Sequence, residues 1–305
     1  MTQNFQPGLI HAPVTPFTAR GKVDYDAFAK LADFHLRHGA QSLAVQMHTG
    51  ESVSLTDAEQ RKLVALAVEQ SRERGSVVAH VSDSGTSIAA ARARHAEAAG
   101  AAAIVATTPY YWTPPPGMVL EHLAQIGGAV SVPFYVFYTP GEMGGTKLST
   151  ELVLKLVERL PNFAGVVDAS LDWQFMINVI SNAQRARPAF RLVSGTEYMI
   201  SAGAIGATAM VSSLAGVAPV LVRELWDLCR AERYADARPV QEALAALRQA
   251  VKAAGFAGLK GAMRELGRDC GRPRAPNEPL NARTRKALAA ALAAIPALAA
   301  EPRGW

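Results

Sequence analysis

Short apolar runs alternate along this chain with longer segments in which apolar residues recur every three or four positions. Eight of these runs are candidate strands, and they are almost continuously apolar, as expected for strands that are buried on both faces. They lie at 9–14, 42–47, 76–81, 102–107, 132–138, 163–168, 191–194 and 207–212. The pattern therefore predicts strands and helices that follow one another along most of the chain.

The predicted helices carry recognisable ends. Asp24 is placed to cap a helix that stops at Gly39. Thr56 and Glu59 have the spacing of a capping box at the start of the next helix. These local signals set where the helices begin.

Eight strand–helix alternations in about 220 residues predict a closed (β/α)8 TIM barrel. The structural alternative is a doubly wound open sheet, which needs a glycine-rich phosphate turn after its first strand. The segment 13–16 (Pro-Val-Thr-Pro) is not such a turn. From about residue 220 onward the pattern is helical, so we expect a barrel over 1–222 and a C-terminal helical extension over 223–305.

Composition narrows the function classes. Half of the 305 residues are hydrophobic, and the net charge of +5 is dispersed along the chain, so we expect no nucleic-acid partner. The two cysteines, Cys229 and Cys270, lack the spacing of metal ligands. The N-terminus does not have the pattern of a signal peptide, and the apolar tail is too short to span a membrane. We therefore expect a cytoplasmic protein with no membrane contact, no metal and no cofactor.

Six short segments carry a resemblance to a known family. They read Gly-Leu-Ile at 8–10 with Val-Thr-Pro-Phe at 14–17, His-Thr-Gly-Glu at 48–51, Pro-Tyr-Tyr at 109–111, Pro-Gly at 140–141 and Gly-Val-Val-Asp-Ala-Ser at 165–170. In order, content and approximate spacing they resemble the dihydrodipicolinate synthase/N-acetylneuraminate lyase family. The resemblance implies an aldolase-like lyase acting on a 2-oxo acid through a lysine Schiff base, a helical appendage packed on the barrel, and a homodimer or homotetramer.

The resemblance fails at the two positions on which that chemistry depends. Val167 stands where the family has its Schiff-base lysine, and Phe137 stands where it has its catalytic tyrosine. Valine supplies no amine, and phenylalanine has no hydroxyl that could move a proton. Tyr138 is adjacent, but one residue along a strand reverses the face, so only a bulge would bring it into the site. The lysines that could substitute are Lys147, in the loop after strand five, and Lys260, in a C-terminal helix, and neither belongs to a strand.

The turn after strand two keeps part of the family pattern. In the relatives, backbone amides of this turn hold the substrate carboxylate, which makes Thr49 and Gly50 candidates for substrate binding. The proton-relay threonine of the family corresponds to His48. Histidine titrates near neutrality, so His48 is a candidate acid or base, and a neutral hydrogen-bonded histidine at the barrel mouth is the alternative.

Other strand ends add weaker candidates. The resemblance places Tyr111 in a neighbouring subunit's site, with a proton-relay role, although a packing role is equally open. Ser194 and Glu197 at the end of strand seven, together with Tyr138 and Val167, are candidates for lining the substrate pocket. Glu142 stands where relatives often carry an arginine for a distal carboxylate, which argues against a dicarboxylate product.

A metal site is the remaining candidate for chemistry. His11, His48 and His80 lie on or after strands one to three, an arrangement that would suit a three-histidine metal site only if all three faced inward. The match to relatives places His11 outward. We therefore expect no metal.

Three functional hypotheses remain. The first is a lyase- or hydratase-type enzyme that binds a small 2-oxo acid or related carboxylate and no longer uses a Schiff base. The second is a catalytically silent homologue that acts as a ligand sensor or assembly partner. The third is ordinary aldolase activity of the family, with the catalytic lysine at a position other than the one that the motif comparison gives.

Overall fold

The computed structural model describes residues 5–143 and 145–305 and, of residues 142 and 143, the backbone alone. Eight parallel strands form a closed barrel in which neighbours in the chain are neighbours in the sheet and β8 pairs with β1. This confirms the (β/α)8 barrel. The strands are β1 (Leu9–His11), β2 (Ser42–Val45), β3 (Ser76–His80), β4 (Ala103–Ala106), β5 (Phe134–Tyr138), β6 (Phe163–Asp168), β7 (Arg191–Ser194) and β8 (Ala209–Ser212).

Twelve α-helices are found in the described part of the chain, most of them between strands or after β8. They are α1 (Tyr25–Arg37), α2 (Asp57–Ser71), α3 (Thr86–Ala98), α4 (Pro116–Gly127), α5 (Pro140–Met143), α6 (Thr150–Arg159), α7 (Trp173–Ala186), α8 (Met199–Ala204), α9 (Pro219–Arg230), α10 (Tyr234–Ala253), α11 (Gly258–Glu265) and α12 (Ala282–Ala293). Each strand is followed by at least one helix, as the alternating pattern predicts.

The predicted helix starts are confirmed in atomic detail. The Asp24 carboxylate accepts the Ala27 N–H at 3.0 Å and caps α1. Thr56 and Glu59 form both halves of a capping box at the start of α2. A side-chain oxygen at this position satisfies an N–H that has no partner within the helix, so short-range sequence signals fix these boundaries.

The strands are buried on both faces, which explains their continuous apolar runs. Outward side chains such as Leu9 and Val166 join the large core between the strands and the surrounding helices. Inward side chains such as Ile10 and Val167 fill the barrel interior. Successive residues of a strand alternate between these two cores.

The C-terminal helices close over one end of the barrel and are tied to it by a buried arginine. Arg268 is fully buried, and its guanidinium donates to the carbonyl oxygens of Gly216 and Val217, both at 3.0 Å, and of Pro302 at 2.7 Å. The expected division between residues 222 and 223 falls within α9 and stays a prediction. Among the described residues, no helix combines the length and apolar character needed to cross a bilayer.

Candidate functional site

A cleft of about 740 Å³ opens where the C-terminal ends of the strands meet the helices that follow β8. In barrels of this kind, the residues that act on ligands lie at this end of the strands. Loop residues including His48, Thr49 and Ser170 line one part of the cleft. Side chains of α10 and α11, among them Arg248 and Lys260, line another part, which we call the helical wall. The cleft is therefore the candidate ligand site, built jointly by the barrel and the C-terminal helices.

The barrel interior beneath the cleft is apolar. Phe137 and Val167 lie side by side in the register of β5 and β6, and both face inward with exposures of 6% and 4%. The cluster around them includes Ile10, Ala44, Val78, Val105, Val193 and Val211, together with Tyr135. The positions that the motif comparison aligns with the family's lysine and tyrosine are thus occupied by packed apolar side chains.

Lysines are absent from all eight of the strands described above. Lys147, the loop candidate, is exposed and is not among the lining residues. Within residues 5–143 and 145–305, the lysines that line the cleft are Lys252 and Lys260, both from the C-terminal region. An amine in this site therefore comes from the helical wall and not from a strand.

The turn after β2 brings two of the predicted residues into the cleft. His48 and Thr49 line it, and the His48 ring contacts Phe256 edge to face, with ring centroids 5.4 Å apart. The Thr49 hydroxyl oxygen is buried and has no hydrogen-bond partner in the described part of the chain. Gly50 lies just behind, where its carbonyl accepts the Thr15 hydroxyl at 2.6 Å. The turn thus holds a buried hydroxyl whose hydrogen bond is unmade in the described part of the chain.

A buried ion pair joins this turn to the helical wall. The Lys260 ammonium of α11 lies 2.6 Å from a Glu51 oxygen, and both side chains are almost completely buried. The second Glu51 oxygen accepts the Arg274 N–H at 2.9 Å. Burial lowers the pKa of Lys260, while the neighbouring Glu51 carboxylate acts in the opposite direction. Lys260 therefore joins the barrel to the wall as an ion paired with a carboxylate.

A second buried carboxylate orients an arginine of the wall. Glu197 accepts the Ser212 hydroxyl at 2.6 Å and the Leu214 N–H at 3.1 Å through one oxygen. Its other oxygen pairs with the Arg248 guanidinium of α10. Glu197 is buried behind Arg248 and does not line the cleft. The sequence predicted that Glu197 lines the pocket, whereas its carboxylate is paired with Arg248 behind the lining residues.

Two other candidates face away from the cleft. Tyr138 points outward from β5, where its ring packs against Phe175 with centroids 5.1 Å apart. A register shift occurs in β5, but it lies at 134–135 and leaves Phe137 as the inward residue. Ser194 is buried and donates its hydroxyl to the Thr196 carbonyl at 2.7 Å. Successive side chains of a strand point to opposite faces, so Tyr138 and Ser194 both point away from the barrel interior.

Tyr111 lies outside the cleft of its own chain. Its side chain is fully exposed, and its backbone φ of 81° is in the left-handed region, which is uncommon for a bulky residue. Glu142 stands where relatives often carry an arginine for a distal carboxylate. Its side chain lies outside the described part of the structure.

The three histidines of the considered metal site do not converge. His11 faces outward, and its Nδ1 lies 3.1 Å from His35 Nδ1 beneath α1. Burial and the nearby His35 hold the pKa of His11 well below its usual value. His80 Nε2 contacts the Ser82 hydroxyl at 2.8 Å, and burial lowers the pKa of His80 to about 4. No metal-binding cluster of histidine, cysteine and carboxylate side chains occurs among the described residues.

Asp168 is a buried carboxyl on the outer side of the cleft. One of its oxygens accepts the Ser170 N–H at 2.8 Å and the Ser170 hydroxyl at 2.7 Å. The other oxygen has no partner in the described part of the chain. Burial raises the pKa of Asp168 to about 6. Its contacts place it behind the cleft loop and not in the cleft.

Sequence reasoning missed the wall of the cleft. Arg248, Lys252 and Phe256 line it, yet none of them was a candidate, because a helical pattern does not reveal what the helix covers. The four-residue spacing of Arg248 and Lys252 is the available signal, since it places two cations on one face of α10.

Comparison with protein families gives one match over most of the chain. Residues 6–295 match the dihydrodipicolinate synthetase family. A 4-hydroxy-tetrahydrodipicolinate synthase of Rhizobium meliloti is 35% identical over 264 residues, which cover 86% of this chain and 88% of the relative. The 4-hydroxy-tetrahydrodipicolinate synthase 1 of Streptomyces coelicolor is 33% identical over 291 residues, which cover 95% of this chain and 93% of the relative.

Comparison with solved structures agrees with the family match. A dihydrodipicolinate synthase from Aquifex aeolicus superposes with a TM-score of 0.88 at 25% identity, covering 95% of this chain and 98% of that one. A protein from Pseudomonas aeruginosa, described as a possible dihydrodipicolinate synthetase, gives 0.89 at 25% identity, with 95% and 100% covered. Both likenesses extend over the barrel and the C-terminal helices alike.

Proposed function

Because the chain belongs to the dihydrodipicolinate synthetase family, we propose that it binds a small 2-oxo acid or related carboxylate in the cleft. We propose further that it catalyses a lyase- or hydratase-type reaction that does not pass through a Schiff base. The observation that carries this proposal is the apolar packing of Val167 against Phe137, with no lysine on any of the eight strands. An imine needs an amine that reaches the carbonyl, and the barrel interior offers none.

Carboxylate binding rests on the turn after β2. Thr49 is one of the residues that line the cleft, and its buried hydroxyl has no hydrogen-bond partner among the described residues. A hydroxyl donates one hydrogen bond, and a carboxylate oxygen accepts it strongly because it is charged. A ligand carboxylate or enolate at Thr49 would complete that hydrogen bond.

Proton transfer is assigned to His48. Histidine carries or accepts a proton near neutral pH, and His48 is next to Thr49 on the cleft surface. In the proposed step, His48 takes a proton from the carbon next to the 2-oxo group. The electron pair of that C–H bond moves to the oxo oxygen, and Thr49 donates to the resulting enolate. Glu197 and Asp168 take no part in this proton transfer, because their hydrogen bonds hold them behind the cleft.

The experiment follows proton exchange into pyruvate by NMR in heavy water, together with binding by calorimetry. We expect the wild-type protein to exchange the methyl protons of pyruvate and the His48→Asn variant to lose at least about a hundredfold in rate, the range typical of a general base. The variant should keep its affinity for pyruvate. His95→Asn, a histidine change on α3, is the matched control and should exchange at the wild-type rate.

The outcomes separate the hypotheses. Equal exchange by the wild type and His48→Asn would refute the role of His48. Binding without exchange in the wild type would favour the alternative of a catalytically silent ligand sensor or assembly partner, for which the packing of Val167 against Phe137 in the barrel interior is the supporting observation. Absence of binding to any 2-oxo acid would reject the proposed function.

A homodimer or homotetramer is proposed for the assembly. The fully exposed Tyr111 ring, on a backbone with positive φ, and the half-exposed Trp112 beside it support a surface that another subunit covers. Light scattering after gel filtration should give a multiple of the 32.4 kDa chain. Tyr111→Asp should shift the mass toward the monomer, and a monomeric wild-type protein would refute the assembly.

A further inference from the structure

The helical wall of the cleft carries two cations from adjacent turns of α10. Arg248 and Lys252 are four residues apart, so they lie on the same helix face, and both line the cleft. The buried Glu197 fixes the position of Arg248 through its ion pair. Lys252 is exposed at the cleft surface. The two side chains therefore form a cationic patch on the wall facing the ligand space.

Glu197 lies behind the cleft and compensates Arg248, whereas no ion pair with Lys252 occurs among the described residues. Among the described lining residues, Glu51 is the one carboxylate, and Lys260 neutralises it at 2.6 Å. The strand-end loops contribute neutral hydroxyls, such as those of Thr139, Thr196 and Ser213. A cleft with walls of low dielectric strengthens the field of such a patch. The wall therefore attracts a negative group on a ligand.

Thr49 and the cationic patch belong to different walls. Thr49 comes from the turn after β2, whereas Arg248 and Lys252 come from α10. Apolar side chains, among them Leu214 and Phe256, also line the cleft. The cleft thus offers a ligand an apolar surface and, on a different wall from Thr49, a cationic patch that suits a second charged group.

We propose that Arg248 and Lys252 form a second anion subsite, and that the preferred substrate is a small 2-oxo acid with a carboxylate at each end. This inference rests on the proposed function, because it assumes that a 2-oxo acid occupies the cleft. The loop after β5, with Glu142, argued against a distal carboxylate on sequence grounds. The wall supplies the cations that this loop lacks, and a planar guanidinium suits a carboxylate in particular.

The test compares two ligands of equal chain length, 2-oxopentanoate and 2-oxoglutarate, which differ in the distal carboxylate alone. Calorimetry should give a Kd for 2-oxoglutarate that is about tenfold lower, as expected for charge-assisted hydrogen bonds at a partly exposed site. Because the patch is partly exposed, this preference should shrink as salt is raised from about 0.05 to 0.5 M.

Two variants test whether Arg248 and Lys252 cause the preference for 2-oxoglutarate over 2-oxopentanoate. Lys252→Gln should bring the affinity for 2-oxoglutarate to within about threefold of that for 2-oxopentanoate, since it removes one of the two charge-assisted contacts that share the roughly tenfold preference. Arg248→Lys keeps a cation beside Glu197 but loses the planar fork, and should fall between the wild type and Lys252→Gln. Lys286→Gln removes an exposed lysine of α12 and should keep the wild-type preference.

The outcomes distinguish this inference from the proposed function. Binding of both ligands with equal affinity would overturn the second subsite and leave the proposed function standing. A preference for 2-oxoglutarate that survives Lys252→Gln and Arg248→Lys would also overturn it. If neither ligand binds, both proposals are rejected together.

Discussion

The barrel strands and the helical wall over the cleft hold their buried ionisable groups in different ways. Around the strands, His11 and His80 have pKa values lowered by burial, and Asp168 has a pKa raised to about 6. In the wall, Lys260 is paired with Glu51, and Arg248 is paired with Glu197. The barrel thus shifts its unpaired buried groups toward the neutral form. The cations of the wall are instead paired with carboxylates of the strand-end loops, although burial lowers the pKa of Lys260 as well.

This difference has a physical cause and a functional consequence. Removing a lone charge from water costs several kcal/mol, so an unpaired buried group changes its pKa, while a paired one remains charged. The groups that can meet an anionic ligand as full charges are therefore concentrated on the wall. In this chain, the C-terminal helices supply the charged side chains that face the cleft, because the barrel interior around Val167 is apolar.

The largest expected effect comes from breaking the ion pair of the wall. Lys260→Met leaves the Glu51 carboxylate buried without its cation, and we expect the free energy of unfolding to fall by about 3–5 kcal/mol. Urea denaturation followed by circular dichroism measures it. Adding Glu51→Gln to Lys260→Met should recover much of the loss, because the amide oxygen still accepts the Arg274 N–H.

Lys155→Met provides the matched control for that experiment. Its partner Glu151 is 76% exposed, so the same chemical change should lower the free energy of unfolding far less than Lys260→Met does. Equal losses in the two lysine variants would mean that the Lys260 pair does not differ from a surface pair, and the contrast between the wall and the barrel would then fail.

The next effect concerns the buried carboxyl of the barrel. The folded-state pKa of Asp168 is about 6, above its ordinary value of 3.8, so the folded protein binds this proton more tightly than the unfolded chain. Its contribution to stability is complete below pH 3.8 and is lost as the pH rises to about 6. Asp168→Asn removes that loss while keeping an oxygen acceptor for Ser170.

We therefore expect Asp168→Asn to be more stable than the wild type by about 2 kcal/mol at pH 7.5, with the difference vanishing near pH 4. Urea denaturation at both pH values measures it. The exposed Asp236 provides the control, because Asp236→Asn should change little at either pH. A stability difference for Asp168→Asn that does not vary with pH would show that this carboxyl is not perturbed.

The smallest expected effect is at the exposed end of the wall. Lys252→Gln removes a solvent-exposed cation and should change the free energy of unfolding by less than about 0.5 kcal/mol. Thermal denaturation in the absence of ligand checks it. A large loss of stability would mean that Lys252 holds the fold together, and its change in ligand preference would then be uninformative.

Much of the fold could be predicted because its signals are local. The capping residues Asp24 and Thr56 act within three or four positions of themselves, and the strands are apolar on both faces. The two-residue period of a strand also predicted that Phe137 and Tyr138 face opposite sides. Such features depend on the neighbouring sequence, so one chain is enough to read them.

The site was only half predictable, because its wall comes from distant sequence. His48 and Thr49 were found at a strand end, where the barrel architecture places ligands. Lys260 meets Glu51 across 209 positions, and Arg248 meets Glu197 across 51. No local pattern indicates which helix face will cover a barrel mouth.

The most direct test of the central claim is borohydride trapping. The protein is incubated with pyruvate and a panel of 2-oxo acids, reduced, and examined by intact-mass and peptide mass spectrometry, beside a family member that forms the imine under the same conditions. We predict no adduct on any lysine, including Lys260 in its buried pair with Glu51. A reduced adduct mapped to a single lysine of the folded protein would contradict the absence of Schiff-base chemistry.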